Sequence, residues 1–132
     1  MATDSPKGIV LTGMTCGATT LAAQQYRFVK LHTDGTVIIA SSQGELCIGV
    51  LQNKPAVGQA CEIIAIGVTK LKADGVTAPA EGSLLATDGS GNADNAVTGD
   101  YALGVALTTP TNTAGVLFTA LINCGAPTIV AV

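Results

Sequence analysis

Glycine and proline cut this chain into apolar runs too short for anything but strands. The pattern is densest in GVLQNKPAVGQACEIIAIGVTKLKADG, Gly49 to Gly75. The β-type runs Ile48 to Leu51, Ala60 to Ile66 and Val68 to Leu71 are broken there by Pro55, Gly58 and Gly67, which reads as strand, turn, strand. A weaker copy follows. Gly49, Val50 and Pro55 recur as Gly104, Val105 and Pro110, each displaced by 55 positions, and a glycine (Gly58 or Gly115) and a β-rich run (Ala60 to Ile66 or Val116 to Ile122) follow each proline. Chance recurrence of two common residues would give the same match, because a repeat this short is weak evidence by itself. Both stretches read as β in either case.

The remaining elements follow from the same reading. Ile9 to Leu11 is a short strand, and Leu21 to Gln25 has room for one helical turn. Tyr26 to His32 and Thr36 to Ser41 form a hairpin about the turn residues Asp34 and Gly35. Tyr26 and Phe28 point to one face and Val29 and Leu31 to the other, so this hairpin is covered on two sides. Ser42 to Glu45 is a turn. Thr69 and Leu71 share one strand face and Lys70 and Lys72 the other, which is therefore wet. Ser83 to Thr87, Tyr101 to Leu107, Val116 to Ile122 and Thr128 to Val132 supply further strands, and Asp88 to Asn95, DGSGNADN, reads as a flexible surface loop. The expected fold is mostly β, a small β-sandwich or β-barrel with little helix.

A chain of 132 residues fits one domain, able to bury roughly two-thirds of the surface of its unfolded form. The expected division is a flexible N-terminal arm, residues 1–8, and a single β domain, residues 9–132. Hydrophobic residues make up 48%, charged residues 11% and aromatic residues 3%, so the core must be built from Val, Ile, Leu and Ala. So little charge leaves apolar surface on a monomer, and association is expected. No basic residue follows Lys72, and no charged residue follows Asp100. No basic patch is left for a phosphate backbone, so no nucleic acid is expected as partner. Pro110, Asn112, Gly115, Asn123 and Gly125 interrupt the apolar tail well short of the ~18 to 20 residues a spanning helix needs, so it is a buried or interface segment and no membrane is expected as partner. MATDSPKG at the start lacks a basic region followed by an apolar one, and no secretion signal is expected.

Residues able to carry chemistry are sparse. Cys16, Cys47, Cys61 and Cys124 form no CxxC, and they read as buried free thiols packing as small hydrophobes. Asp88, Ser90, Asn92 and Asp94 alternate as in a calcium loop, but the twelfth position falls on Gly99 where a bidentate Glu is needed, so a solvated turn is the better account. His32 is the single histidine, and nothing local brings a cysteine beside it. GMTCGATT, Gly13 to Thr20, has no lysine and is not a phosphate loop. No enzymatic activity, metal or cofactor is expected.

Four segments together carry a resemblance: QQYRFVKL (Gln24 to Leu31), IGVLQNKPAVGQACEI (Ile48 to Ile63), GVTKLKADG (Gly67 to Gly75) and GDYALGVAL (Gly99 to Leu107). In this order they resemble the small capsid decoration, or cement, proteins of tailed bacteriophages. The likeness covers most of the chain from about Gln24 onward and does not extend to the segment up to about Ala23. It implies a compact β domain, usually a homotrimer, made in the host bacterial cytoplasm and carried on the outer surface of the virion capsid, where it ties neighbouring major capsid protein subunits together. It carries no catalytic residues. A carbohydrate-binding β-sandwich module on the virion surface is the alternative, with Tyr26, Phe28, Tyr101 and Phe118 as its whole supply of rings, and a cysteine enzyme is the third class.

For attachment to a shell, the residues point to the start of the chain. Thr3, Asp4, Ser5, Pro6 and Lys7 have too little apolar area to join a core, and such an arm can add to an exposed strand of a partner. Contact through loops such as Asp88 to Asn95 is the other route.

Overall fold

A computed structural model of the chain describes residues 8–131. It contains eleven strands and no helix among them: β1 (Ile9–Thr15), β2 (Phe28–Leu31), β3 (Val37–Ile39), β4 (Gly49–Leu51), β5 (Ala60–Lys72), β6 (Leu84–Thr87), β7 (Ala93–Asn95), β8 (Tyr101–Ala102), β9 (Gly104–Ala106), β10 (Leu117–Asn123) and β11 (Thr128–Ile129). Nine of them form one antiparallel sheet in the order β3-β2-β4-β5-β10-β9-β6-β7, with β1 also pairing β5, and β8 pairs β11 separately. The mostly β fold is as expected. Its form is a single curled sheet, a half-barrel.

The two ends of that sheet come together. Phe28 N–H donates to the Gly91 carbonyl at 2.7 Å, and Gly44 N–H to the Thr87 carbonyl at 2.8 Å. The enclosed core unites Phe28 and Val50 from one end with Leu85, Ala93, Ala106, Phe118, Ala120 and Ile122 from the other. A second cluster lies on the opposite side of β2, β3 and β4, where Val29, Val37, Leu51 and Ile63 are covered by Leu11 and Met14 of β1 and by Cys16 and Leu21 beyond it. Cys16, Cys47, Cys61 and Cys124 are all buried and free. Burial pushes the Cys124 thiol up to about 12, and it pushes Cys47 and Cys61 up as well.

The strand order reads the same from either end. The units β2-β3-β4-β5 and β6-β7-β9-β10 have the same connections and meet through the β5–β10 pair. Gly49 and Val50 therefore stand beside β5 as Gly104 and Val105 stand beside β10, and Pro55 and Pro110 are both buried in the loops that follow. The short Gly-Val-Pro match is thus a structural repeat. The hairpin turns repeat too, as Thr33-Asp34-Gly35 and Thr87-Asp88-Gly89. In each turn the aspartate Oδ1 accepts a backbone N–H two residues on, from Thr36 at 3.0 Å and from Ser90 at 2.8 Å.

Several local expectations are corrected by long-range pairing. Gly67 does not break a strand: β5 runs unbroken through it, its φ of 144° bending the backbone where Gly8 passes close by. β1 extends from Ile9 to Thr15 because β5 offers it a pairing edge. Leu21 to Gln25 forms turns, with Leu21 fully buried, and no helical turn. Tyr26 lies before the strand at φ 66°, and it does not share a strand face with Phe28. Tyr101 to Leu107 divides into β8 and β9 around buried Leu103, and only Thr128 and Ile129 of the final stretch are in a strand.

The segment Asp88 to Asn95 is not a flexible loop. Asp88 Oδ1 also accepts Asn92 N–H at 2.8 Å, Ala93 is fully buried, and Ala93–Asn95 pairs with β6 as β7. Its polar composition reflects a tight turn whose side chains satisfy their own backbone.

Candidate interaction surface

Cross-strand partners lie on one face of a sheet, so the register defines what each face presents. Leu84 of β6, Val105 of β9, Leu121 of β10 and Val68 of β5 are successive partners and form one row across four strands. Their neighbours in sequence, Leu85, Ala106 and Ala120, face the core. The row faces out: Leu84 is 48% exposed and Leu121 43%. Leu107 and Leu117, on the same face, are exposed as well.

The repeat shows what this row corresponds to. Its counterpart in the first half is Phe28, Val50 and Ile64, aligned by Gly49 and Gly104. Phe28 and Val50 are fully buried and Ile64 nearly so, because the curled sheet brings the second half over them. Equivalent positions are thus apolar in both halves and covered in only one. The apolar tail from Tyr101 onward, expected to be buried or at an interface, divides accordingly: Phe118, Ala120 and Ile122 are core, while Leu107, Leu117, Leu121 and Ile129 are exposed.

At the β5 C-terminal end this face turns cationic. Thr69 and Leu71 point into the core, and Lys70 and Lys72 point out, as their alternation predicts. Lys70 Nζ stands 5.6 Å from the centre of the Tyr26 ring. Tyr26 is held by its N–H to the Leu51 carbonyl at 2.7 Å and by its carbonyl, which accepts from Lys72 N–H at 2.9 Å. Arg27 Nη1 donates to Gln24 Oε1 at 2.7 Å, and its carbonyl accepts from Leu51 N–H at 3.0 Å, next to Gln52 and the exposed Lys54. Burial lowers the Lys72 pKa, and the Arg27 and Lys54 charges lower it further. The ion pairs among the described residues lie elsewhere: Lys30 with Glu45 at 2.7 Å, and His32 with Asp34 at 3.2 Å.

The other sites weighed in the sequence come apart. Thr3, Asp4, Ser5, Pro6 and Lys7 lie outside the described residues. His32 is paired with Asp34 on an exposed turn, at the mouth of a 330 Å³ cavity lined by Leu21, Ile38 and Ile39. No cysteine lines that cavity, and every thiol is buried. Asp88 is occupied with two backbone donors, so its alternation with Ser90, Asn92 and Asp94 is that of a turn. Among the described residues no group of three or more His, Cys, Asp or Glu is placed to hold a metal. The aromatic supply is spent as well: Phe28 and Phe118 are buried, Tyr101 packs on the core and Tyr26 lies beneath Lys70. A carbohydrate module needs rings presented to solvent, and this surface is aliphatic.

No family model matches the chain, and no curated protein matches it in sequence. Among solved structures, the chain is similar to the N base of the head fiber protein gp8.5 of bacteriophage phi29. The TM-score is 0.67 at 15% sequence identity, over 88% of this chain and 96% of the other. The half-barrel is therefore a fold shared with a phage head fiber base.

Proposed function

We propose that this protein is a structural component of a tailed-phage virion: a capsid decoration, or cement, protein that binds the outer surface of the head and stabilises contacts between major capsid protein subunits. It acts as a homotrimer. The observation that carries this reading is the outward row Leu84, Val105, Leu121 and Val68, its two leucines exposed and its two valines half-buried, with Leu84, Val105 and Leu121 at positions whose repeat counterparts are buried. A chain that keeps leucine where nothing of its own covers it has its work in contact. The fold shared with a phage head fiber base and the resemblance of Gln24 to Leu107 to cement proteins support the same class.

On this reading the row packs against copies of the same chain, and cyclic symmetry hides it in every subunit. The oligomer binds the assembled shell and not the free subunits, so it stabilises the shell by mass action, with many copies acting together.

Two measurements test this. Purified particles should contain the protein in a fixed ratio to the shell protein; its absence from particles would overturn the assignment. Analytical ultracentrifugation at micromolar concentration should show a trimer that dissociates in the Leu84→Gln, Leu121→Gln double variant while the variant stays folded. A stable wild-type monomer would overturn the role given to the row.

A further inference from the structure

We infer that the cluster of Arg27, Lys54, Lys70 and Lys72 is a docking site for a carboxylate-bearing protein surface. The inference deepens the proposed function: the partner it fits is an acidic patch on the head's outer surface.

Four of the six basic residues of an acidic chain meet here, from the approach to β2, the loop after β4 and the C-terminal end of β5. None is in an ion pair among the described residues. Like charges held together raise each other's energy, and at Lys72 the Arg27 and Lys54 charges add to burial in lowering the pKa. Nearby carboxylates are the chemistry that would relieve it. Three of the chain's own carboxylates are engaged away from the cluster: Glu45 is on Lys30, Asp34 on Thr36, and Asp88 on Ser90 and Asn92.

The backbone at the cluster is strained as well. Among the described residues Tyr26 is the one non-glycine with positive φ, 66°, a region that bulky residues avoid. Two backbone hydrogen bonds hold it there, and the result is a ring beneath Lys70 with Arg27 on the adjoining residue.

The surroundings select the kind of anion. The fringe is Gln24, Gln25, Gln52 and Asn53, amides that add no charge and are tied into the chain: Gln24 Oε1 accepts from Arg27, and the Gln25, Gln52 and Asn53 amides donate to the Gln52, Val50 and Ala60 carbonyls. Glu62, exposed, lies beside Gln52, whose N–H donates to its carbonyl. The chain as a whole is at −3. A polynucleotide continues past the cluster onto this negative surface and is repelled, whereas a compact set of carboxylates is not.

The test uses the intact protein and a fluorescein-labelled oligoglutamate peptide, with a single-stranded oligonucleotide of equal charge alongside, by anisotropy at low salt. The wild type should bind the peptide. The Lys54→Gln, Lys70→Gln, Lys72→Gln triple variant should bind about tenfold more weakly, and the corresponding Lys→Arg variant should retain binding. The loss should shrink as salt screens the charges. No peptide binding by the wild type, equal binding by the triple variant, or tighter binding of the oligonucleotide overturns the proposal. On undecorated heads the two readings separate: wild type failing to bind heads while binding peptide removes the head as partner, whereas equal head binding by wild type and triple variant leaves the decoration role standing and removes the cluster from it.

Discussion

Alanine at Gly49 should be one of the most damaging single-methyl changes in the chain. A Cβ there would run into the carbonyl oxygen of Ile64 and would approach Ile63 Cγ2 at 2.6 Å and the Ile64 carbonyl carbon at 2.9 Å. The obstacles include backbone of the long strand β5, which cannot swing aside as a flexible side chain can. Overpacking of a core by one carbon costs about 1–3 kcal/mol, and backbone obstruction places this site at the upper end. The lower conformational entropy of alanine in the unfolded chain returns about 0.5–1 kcal/mol, leaving a net loss of about 2–2.5 kcal/mol. With an unfolding entropy of about 2.1 cal/mol/K per residue, the chain loses about 7–9 °C in Tm. Gly104, its repeat counterpart, meets the Leu121 carbonyl oxygen and Ile122 Cδ1 at 3.0 Å, so Gly104→Ala should behave alike. Gly89 is the control: its nearest obstacle is the Ser41 carbonyl oxygen at 3.8 Å, and Gly89→Ala should stay within about 0.5 kcal/mol. Calorimetry and urea unfolding of the three variants decide it. A Gly49→Ala protein as stable as Gly89→Ala would show that the close approach of β4 to β5 is not what requires glycine at the head of each Gly-Val pair.

The thiols and the Asp88 turn give two further tests. Burial raises the Cys47, Cys61 and Cys124 pKa values, Cys124 to about 12, so the native state holds protons that the unfolded chain releases near pH 9; stability should be flat below that pH and fall as pH climbs from about 9 toward 12, with Ellman's reagent finding little free thiol in the native protein at pH 8. A native protein whose four thiols react as fast as free cysteine would contradict their burial. Asp88→Ala removes the acceptor of two backbone N–H groups, one of them that of buried Asn92 just before β7, and should cost about 1–2 kcal/mol in urea unfolding, whereas a calcium-loop role would instead show as lost calcium stabilisation of the wild type.

Much of the β organisation was legible from neighbours in the chain. The Asp34-Gly35 hairpin, the pairing of Ile48–Leu51 with the run from Ala60, the Lys70 and Lys72 face and the burial of all four cysteines are local matters of turn chemistry and period-two alternation, and all are present. Gly67 and Asp88 to Asn95 misled because local punctuation was overruled by pairing with distant strands: β10 and β1 hold β5 continuous, and β6 draws Ala93–Asn95 into the sheet.

The candidate surfaces belong to the other category. That Leu84 and Leu121 are exposed and Val105 half-buried while Phe28, Val50 and Ile64 are buried cannot be read from residue types that are all apolar; it depends on the sheet curling over one half of the repeat and leaving the other open. Composition could say that apolar surface would remain, but not where. Likewise Arg27, Lys54, Lys70 and Lys72 read in order as scattered, from position 27 to position 72. Only the crossing of the Tyr26 segment between Leu51 and Lys72 gathers them, and charge acts over distance in space, not along the chain.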